Sequence, residues 1–339
     1  MIGARIVGIA GHLPERIETN EELASDNPDW DLPRIAAKTG IHARRIAAPE
    51  ETACDLGYEA ARRLLDRELV PPAEIDYVLM ATQTPDHLFP SNACLLQARL
   101  GLGRHVGAFD FNHGCSGFVC GLQLAAALIK TRMARNVLLI TADTYSKLVH
   151  PRDRTVRALF GDGAAATLIG PATEESGRIE HFIVGTDGSG AAQLMVPAGG
   201  FRLPRSAETA AEFEDETGCL RSRDHLFMDG QAIFSFALNT VPRAVAAVLQ
   251  QAGLTPDDVD WYVYHQANKF MLENLAMCSR IPQAKMVYHL ETLGNTVSAS
   301  IPLALEAWLD SGRIEPGHRL ILAGFGVGLS WAVCHVVWG

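Results

Sequence analysis

The strongest constraint on this 339-residue chain is that part of it is written twice. The run Val248-Leu-x-x-Ala-Gly-Leu-Thr-Pro-Asp-Asp-Val-Asp-Trp-Tyr-Val263 echoes the run from Leu64 to Leu79, with Asp260 standing where Asp76 stands, 184 residues on (260 − 76). The same offset carries Cys115 onto Ala299, at the start of a second small-residue-rich helix at Ser298–Leu309, and the strand Val137–Ile140 onto Ile321–Gly324. An offset that holds across three elements without a gap predicts two similar βα halves packed together, assigned here to residues 1–174 and 175–339.

The rest of the chain reads as strands alternating with helices, the pattern of an α/β layered architecture. Strands are expected at Arg5–Leu13, 75–81, Asn136–Thr141 and, after a glycine turn, up to Ile169. Helices are expected at Asp31–Thr39, Thr52–Leu69 and Phe89–Leu100. The stretch Pro197–His225, rich in Gly, Glu, Arg and Ser, breaks the rhythm and reads as a solvated surface excursion rather than a substrate lid. With 48% hydrophobic and 20% charged residues, both halves can fill a core. A net charge of −10 argues against general binding of nucleic acid or anionic membrane. Seven cysteines without a C-x-x-C pair, and a segment Met1–Pro14 that lacks the pattern of a leader, point to reduced thiols, no metal site and a cytoplasmic setting. The apolar runs, interrupted by Gly, Gln or Arg, fall short of a membrane span.

Chemistry concentrates where a short strand gives way to an apolar helix, in Phe109-Asp-Phe-Asn-His-Gly-Cys-Ser-Gly-Phe-Val-Cys-Gly-Leu122. Cys115 sits at that corner. Gly114, Ser116 and Gly117 permit a tight turn, and a helix start offers unpaired N–H groups and positive partial charge, a setting expected to lower a thiol's pKa. Cys120, five positions on, is expected to face the core. A nucleophile needs a partner, and the second half supplies two candidates. His265 ends the strand in Tyr262-Val-Tyr-His-Gln-Ala-Asn268, and Asn295 lies in the loop Leu293-Gly-Asn-Thr-Val-Ser-Ala-Ser300, just before the position equivalent to Cys115. The repeat therefore places all three on one face, at the join between halves.

Taken together, Cys115-Ser-Gly-Phe, His265-Gln-Ala-Asn, Gly294-Asn-Thr-x-Ser-Ala-Ser, Thr84-Pro-Asp-His-x-Phe-Pro-Ser91 and Phe160-Gly-Asp-Gly-Ala-Ala resemble the β-ketoacyl-[acyl-carrier-protein] synthase III family, almost end to end. The resemblance implies a thiolase-like fold, two βα halves related by a pseudo-twofold axis in αβαβα layers. It also implies a Cys115–His265–Asn295 triad and an oxyanion hole made by the backbone N–H groups of Cys115 and Val327. The implied activity is loading of an acyl group on Cys115 and decarboxylative condensation with malonyl-[acyl-carrier protein] to a 3-oxoacyl product, in fatty acid or specialised biosynthesis. No cofactor is implied; acyl-coenzyme A and acyl-carrier protein are the expected partners, in a homodimer whose Phe89 closes the neighbouring subunit's pocket.

Several positions depart from the family pattern. Arg34 falls where the family places a Trp against the coenzyme A adenine, Lys38 replaces an Arg, and Arg154 matches the second adenine-side residue. Phe270 stands in place of the carrier-contacting Arg, leaving Lys269 beside it and, with Arg280 and Lys285, a basic group expected to receive the acidic carrier. Two other functions stay open at this stage: acyl transfer from Cys115 to an oxygen or nitrogen nucleophile, and a non-catalytic carrier-binding scaffold.

Overall fold

The computed structural model describes residues 3–173, 176–216 and 218–339; the expected boundary between the halves, at Glu174 and Glu175, lies outside the described residues. One sheet contains β1 (Gly3–His12), β2 (Ile75–Ala81), β3 (Gly107–Phe111), β4 (Asn136–Asp143) and β5 (Gly163–Ala172), in the order β1-β5-β4-β2-β3. The other contains β6 (Arg178–Thr186), β7 (Trp261–Tyr264), β8 (Arg319–Gly326) and β9 (Ser330–Val337), in the order β6-β9-β8-β7. The sheets have the same topology: β1/β5 and β5/β4 are antiparallel and β4/β2 parallel, as are β6/β9, β9/β8 and β8/β7 respectively. A parallel bridge from Tyr262 to Met286 stands where β3 pairs with β2.

The repeated aspartate has the same task in both halves. Asp76 Oδ2 accepts from Arg135 N (2.6 Å) and Asn136 N (3.0 Å) where β4 begins, and Asp260 Oδ2 accepts from Arg319 N (2.8 Å) where β8 begins. Each carboxylate satisfies N–H groups at the head of the neighbouring strand and so fixes the register of a parallel pair.

Helices complete five layers. α1 (Leu32–Thr39) starts at the Asp31 cap, and α2 (Ala53–Leu65) starts at Thr52, which forms a capping box with Asp55. α2 is amphipathic and packs Leu56, Ala60 and Leu64 on the outer face of the first sheet. α3 (Gly117–Lys130) and α6 (Ser300–Asp310) lie between the sheets, which explains why α3 is apolar nearly all round: Phe118, Leu122, Ala125 and Ile129 are buried with residues of both sheets. α4 (Gly230–Ala252) and α5 (Lys269–Cys278) cover the second sheet. Among the described residues α4 is long and apolar enough to cross a membrane, longer than the sequence runs suggested, but Val241, Val245 and Val248 seat it on the sheet as a core helix. The expected helix over Phe89–Leu100 forms only at Asn92–Arg99, because Pro90 cannot supply a helical N–H and the chain there is capped by Asp110 accepting from Asn92 N and Ala93 N.

The stretch 197–225 runs largely exposed over the surface, as the composition suggested, but it is anchored at a few points. Arg221, largely buried, bridges Asp153 (3.1 Å) and Asp215 (3.0 Å), His150 Nε2 lies 3.1 Å from Glu212, and Leu226 N donates to Leu148 O. These contacts hold it against the segment that carries Arg154.

Candidate active site

Cys115 lies at the bend before α3, where the chain is pressed from the opposite half. A Cβ on Gly324 would come within 2.6 Å of the Cys115 carbonyl, and one on Gly326 within 2.8 Å of Sγ, so glycine at both positions of β8 permits the approach. The backbone N–H groups of Val327 and of Cys115 itself are directed at the sulfur. A chain of hydroxyls holds that turn: His113 Nδ1 to Ser116 Oγ (3.0 Å), Ser116 Oγ to Ser330 Oγ (2.8 Å), and Ser330 Oγ donating to Val327 O (2.7 Å).

Asn295 is placed by two glycines from different halves. Asn295 N donates to Leu159 O (2.8 Å) and Gly161 N donates to Asn295 O (3.0 Å). Any Cβ on Gly161 would strike the Leu293 carbonyl, and Gly294 has φ +70 with the Leu159 carbonyl 2.7 Å from where its Cβ would be. This is why the Phe160-Gly-Asp-Gly turn and the Asn295 loop go together. The Asn295 Oδ1 accepts from Val297 N (2.9 Å), which turns the amide nitrogen, a pure donor, away from its own loop.

His265 is buried beyond β7 with Nδ1 2.8 Å from Ser300 Oγ. Burial pushes its pKa down to about 3, against a backbone hydrogen bond to Val297 that raises it, so the ring is neutral. Cys115 departs from the sequence expectation. Burial, with the Asp143 carboxylate adding to it, pushes the thiol up to about 12, and the two N–H groups only partly offset this. The helix start is there, but desolvation outweighs it. Asp143, at the end of β4, is itself pushed up to about 7 by burial although it accepts from Ser298 Oγ, Ser298 N and Gln83 N.

Cys115, His265 and Asn295 (7%, 2% and 5% exposed) converge on one cavity of about 470 Å³. Lys38 and Arg154 line its open side with Phe234 and Phe270, whose rings stack 5.3 Å apart, Lys38 Nζ lying 5.0 Å over Phe270. Arg34 is exposed and outside the lining; on α1 only Ile35, Lys38 and Thr39 face the cavity. Phe89, 83% exposed beside Leu88, is likewise outside the lining of this chain's own cavity. The basic group disperses. Lys269 opens α5 beside the cavity residues Asn268 and Phe270, Arg280 is two residues past the far end of that helix, about 16 Å away, and Lys285 Nζ is committed to the carbonyls of Asp257 and Val259. Cys120 is half-buried against the central core, as expected.

Sequence reasoning missed Asp143, Ser300 and Ser330. For Asp143 the repeat carried a signal: the 184-residue offset maps it onto Val327.

Two family models match the chain, the 3-oxoacyl-[acyl-carrier-protein] synthase III model over residues 109–188 and the C-terminal model of the same synthase over 249–338. A β-ketoacyl-[acyl-carrier-protein] synthase III from Caldanaerobacter subterraneus is 38% identical over 340 aligned positions, 99% of this chain and 98% of that one. The chain belongs to the synthase III family. A crystal structure of a 3-oxoacyl-(acyl-carrier-protein) synthase III superposes with a TM-score of 0.97 at 51% identity, covering 99% of this chain and 100% of that one. A priming β-ketosynthase from the R1128 polyketide pathway superposes at 0.86 with 32% identity, covering 99% and 96%. The thiolase-like fold of this synthase III family is thus that of the chain throughout.

Proposed function

We propose that this synthase III family member carries an acyl group on Cys115 and condenses it with malonyl-[acyl-carrier protein]. The observation that carries the reading is the meeting of thiol, neutral imidazole and carboxamide in one cavity, with two backbone N–H groups on the sulfur. In the first step Sγ attacks the acyl thioester; the S–C bond to Cys115 forms, the bond to the donor's sulfur breaks, and the thiol proton ends on the departing thiol. Because Cys115 is not ionised beforehand, that proton has to leave as the bond forms, and His265 is the base at hand. The N–H groups of Cys115 and Val327 hold the oxyanion.

In the second step the malonyl C–C bond breaks and carbon dioxide leaves, its electron pair forming a thioester enolate. Ser300 Oγ can accept from or donate to Nδ1 of His265, so Nε2 of the neutral ring serves as the base in the first step and, in the other tautomer, as an N–H donor in the second; the Asn295 amide nitrogen adds a second donor, and both can bind the enolate oxygen without carrying an acid strong enough to quench the carbon. The enolate carbon attacks the acyl-Cys115 carbonyl, and the thiolate is expelled and takes up one proton from water. Lys38, Arg154 and the Phe234–Phe270 pair face the incoming pantetheine or coenzyme A, with Lys269 beside them for the carrier protein; Arg34 and Arg280 lie farther off. The exposed Leu88–Phe89 pair supports a homodimer in which that segment reaches the neighbouring subunit.

The test is mass analysis. Acyl-coenzyme A or acyl-carrier protein should leave one adduct, absent in Cys115→Ala and retained in Cys120→Ala, and adding malonyl-carrier protein should discharge it as a 3-oxoacyl product. An adduct discharged to an oxygen or nitrogen nucleophile, with no carbon–carbon bond made, would replace condensation by acyl transfer.

A further inference from the structure

The second sheet carries an irregularity the condensation does not use. β6 and β9 pair regularly until Val333 opposite Ile183, but His335 opposes Glu180, so three steps on β6 face two on β9. The extra residue is taken up at His181, which has φ +54, a region a non-glycine residue enters at a cost. Bulges of this kind re-aim side chains. Here the result is that His181 and His335 stack 5.9 Å apart at 28°, Glu180 Oε2 lies 3.7 Å from His181 Nε2, and ligand atoms of all three residues lie within 4.8 Å of one another.

His335 is the telling member. It is 5% exposed, and among the described residues neither ring nitrogen has a hydrogen-bond partner, although imidazole always carries at least one donor and buried polar groups are seldom left unmatched. The place is remote from the thiol: His335 is five residues along β9 from Ser330, about 17 Å.

We propose that Glu180, His181 and His335 bind a divalent transition cation of the zinc class, tying the edge strand β6 to β9. Two imidazoles and one carboxylate suit zinc, cobalt or nickel rather than magnesium or calcium. Ligands on one tetrahedral zinc stand about 3.3 Å apart, so the side chains close by about an ångström on binding. The ring nitrogens of His335 are not engaged by hydrogen bonds within the described residues, so a lone pair is free to face an ion; Arg178 and Arg319 lie near enough to act on the ring electrostatically. Arg178 Nε shares the Glu180 carboxylate at 2.9 Å, and the two guanidinium groups oppose a dication, which sets the expected affinity in the micromolar rather than the nanomolar range.

The full chain, stripped of metal and with accessible thiols alkylated, is titrated with zinc chloride by calorimetry and with cobalt chloride by absorption. One ion per chain is expected, with a cobalt spectrum free of thiolate charge-transfer bands, and binding at least tenfold weaker in His335→Ala. Should that variant fold poorly, His181→Gly is decisive: glycine tolerates the left-handed conformation, so its metal-free melting temperature should equal or exceed the wild type's while the zinc-dependent rise disappears. No saturable binding up to millimolar zinc, a thiolate band, or an unchanged zinc response in His181→Gly would overturn the site.

Discussion

If burial and Asp143 hold the Cys115 thiol near 12, its chemistry toward a simple electrophile is calculable. At pH 7 about one molecule in 10⁵ is thiolate, against about 3% for an ordinary thiol of pKa ~8.5, a deficit of roughly three and a half powers of ten. A more basic thiolate is more nucleophilic, and a Brønsted slope of about 0.4–0.5 returns about one and a half of these. Iodoacetamide should therefore label Cys115 about a hundredfold more slowly than an added cysteine peptide whose thiol has the ordinary pKa. Restricted access would slow labelling as well, so the pH profile is the sharper readout. Quantified by peptide mass, labelling of Cys115 should climb tenfold per pH unit from 7 to at least 10, with no plateau in that range. Asp143→Asn removes the carboxylate that adds to the upward shift and should speed labelling of Cys115 by about tenfold at pH 8, in a variant checked for native circular dichroism. A Cys115 profile that levels off below pH 8 would mean that the helix start and the two N–H groups outweigh burial, and that the nucleophile is ionised at rest.

His265→Ala and Asn295→Ala should still accept an acyl group on Cys115 yet lose malonyl decarboxylation, followed by carbon dioxide release, by about a hundredfold or more each; unimpaired decarboxylation in both would remove the enolate role. Gly294→Ala places a Cβ against the Leu159 carbonyl at φ +70 and should cost about 1–3 kcal/mol in urea unfolding together with decarboxylation, since Asn295 moves with it. Lys269→Glu should raise the KM for carrier-bound malonate far more than for a pantetheine thioester, an effect that shrinks in high salt, whereas Arg280→Glu, at the far end of α5, should do much less; equal effects of the two would restore a broad basic rim.

What was legible in the sequence was whatever is written locally or twice. The aspartates at 76 and 260, the helix after Cys115 and the loop before Ala299 share one offset, and with the repeat in hand the convergence of Cys115, His265 and Asn295 followed from topology. The ionisation of Cys115 was not legible, because the local signal, a helix start, is opposed by burial that only the β8 glycines and Asp143 create. The basic group near the second half looked contiguous in the chain but is spread along a helix and spent on carbonyls, since sequence proximity says nothing about what a lysine finds to bind. Nor does any pattern pair His181 with His335; a one-residue bulge does that.

The two central helices begin at equivalent places and do unequal work. Position 115 holds a sulfur; its counterpart, Ala299, is fully buried against Leu303 and Ala165, so the second copy of that corner has been closed over. Its flanks were reassigned rather than silenced: Ser298, counterpart of Gly114, binds Asp143, and Ser300, counterpart of Ser116, holds His265. A duplicated scaffold has thus separated reactant from support, one copy keeping the attacking atom and the other becoming the jig that aims its partners. A cysteine placed at 299 should accordingly stay inert to acyl donors, because the second copy leaves no space in which a thioester could form.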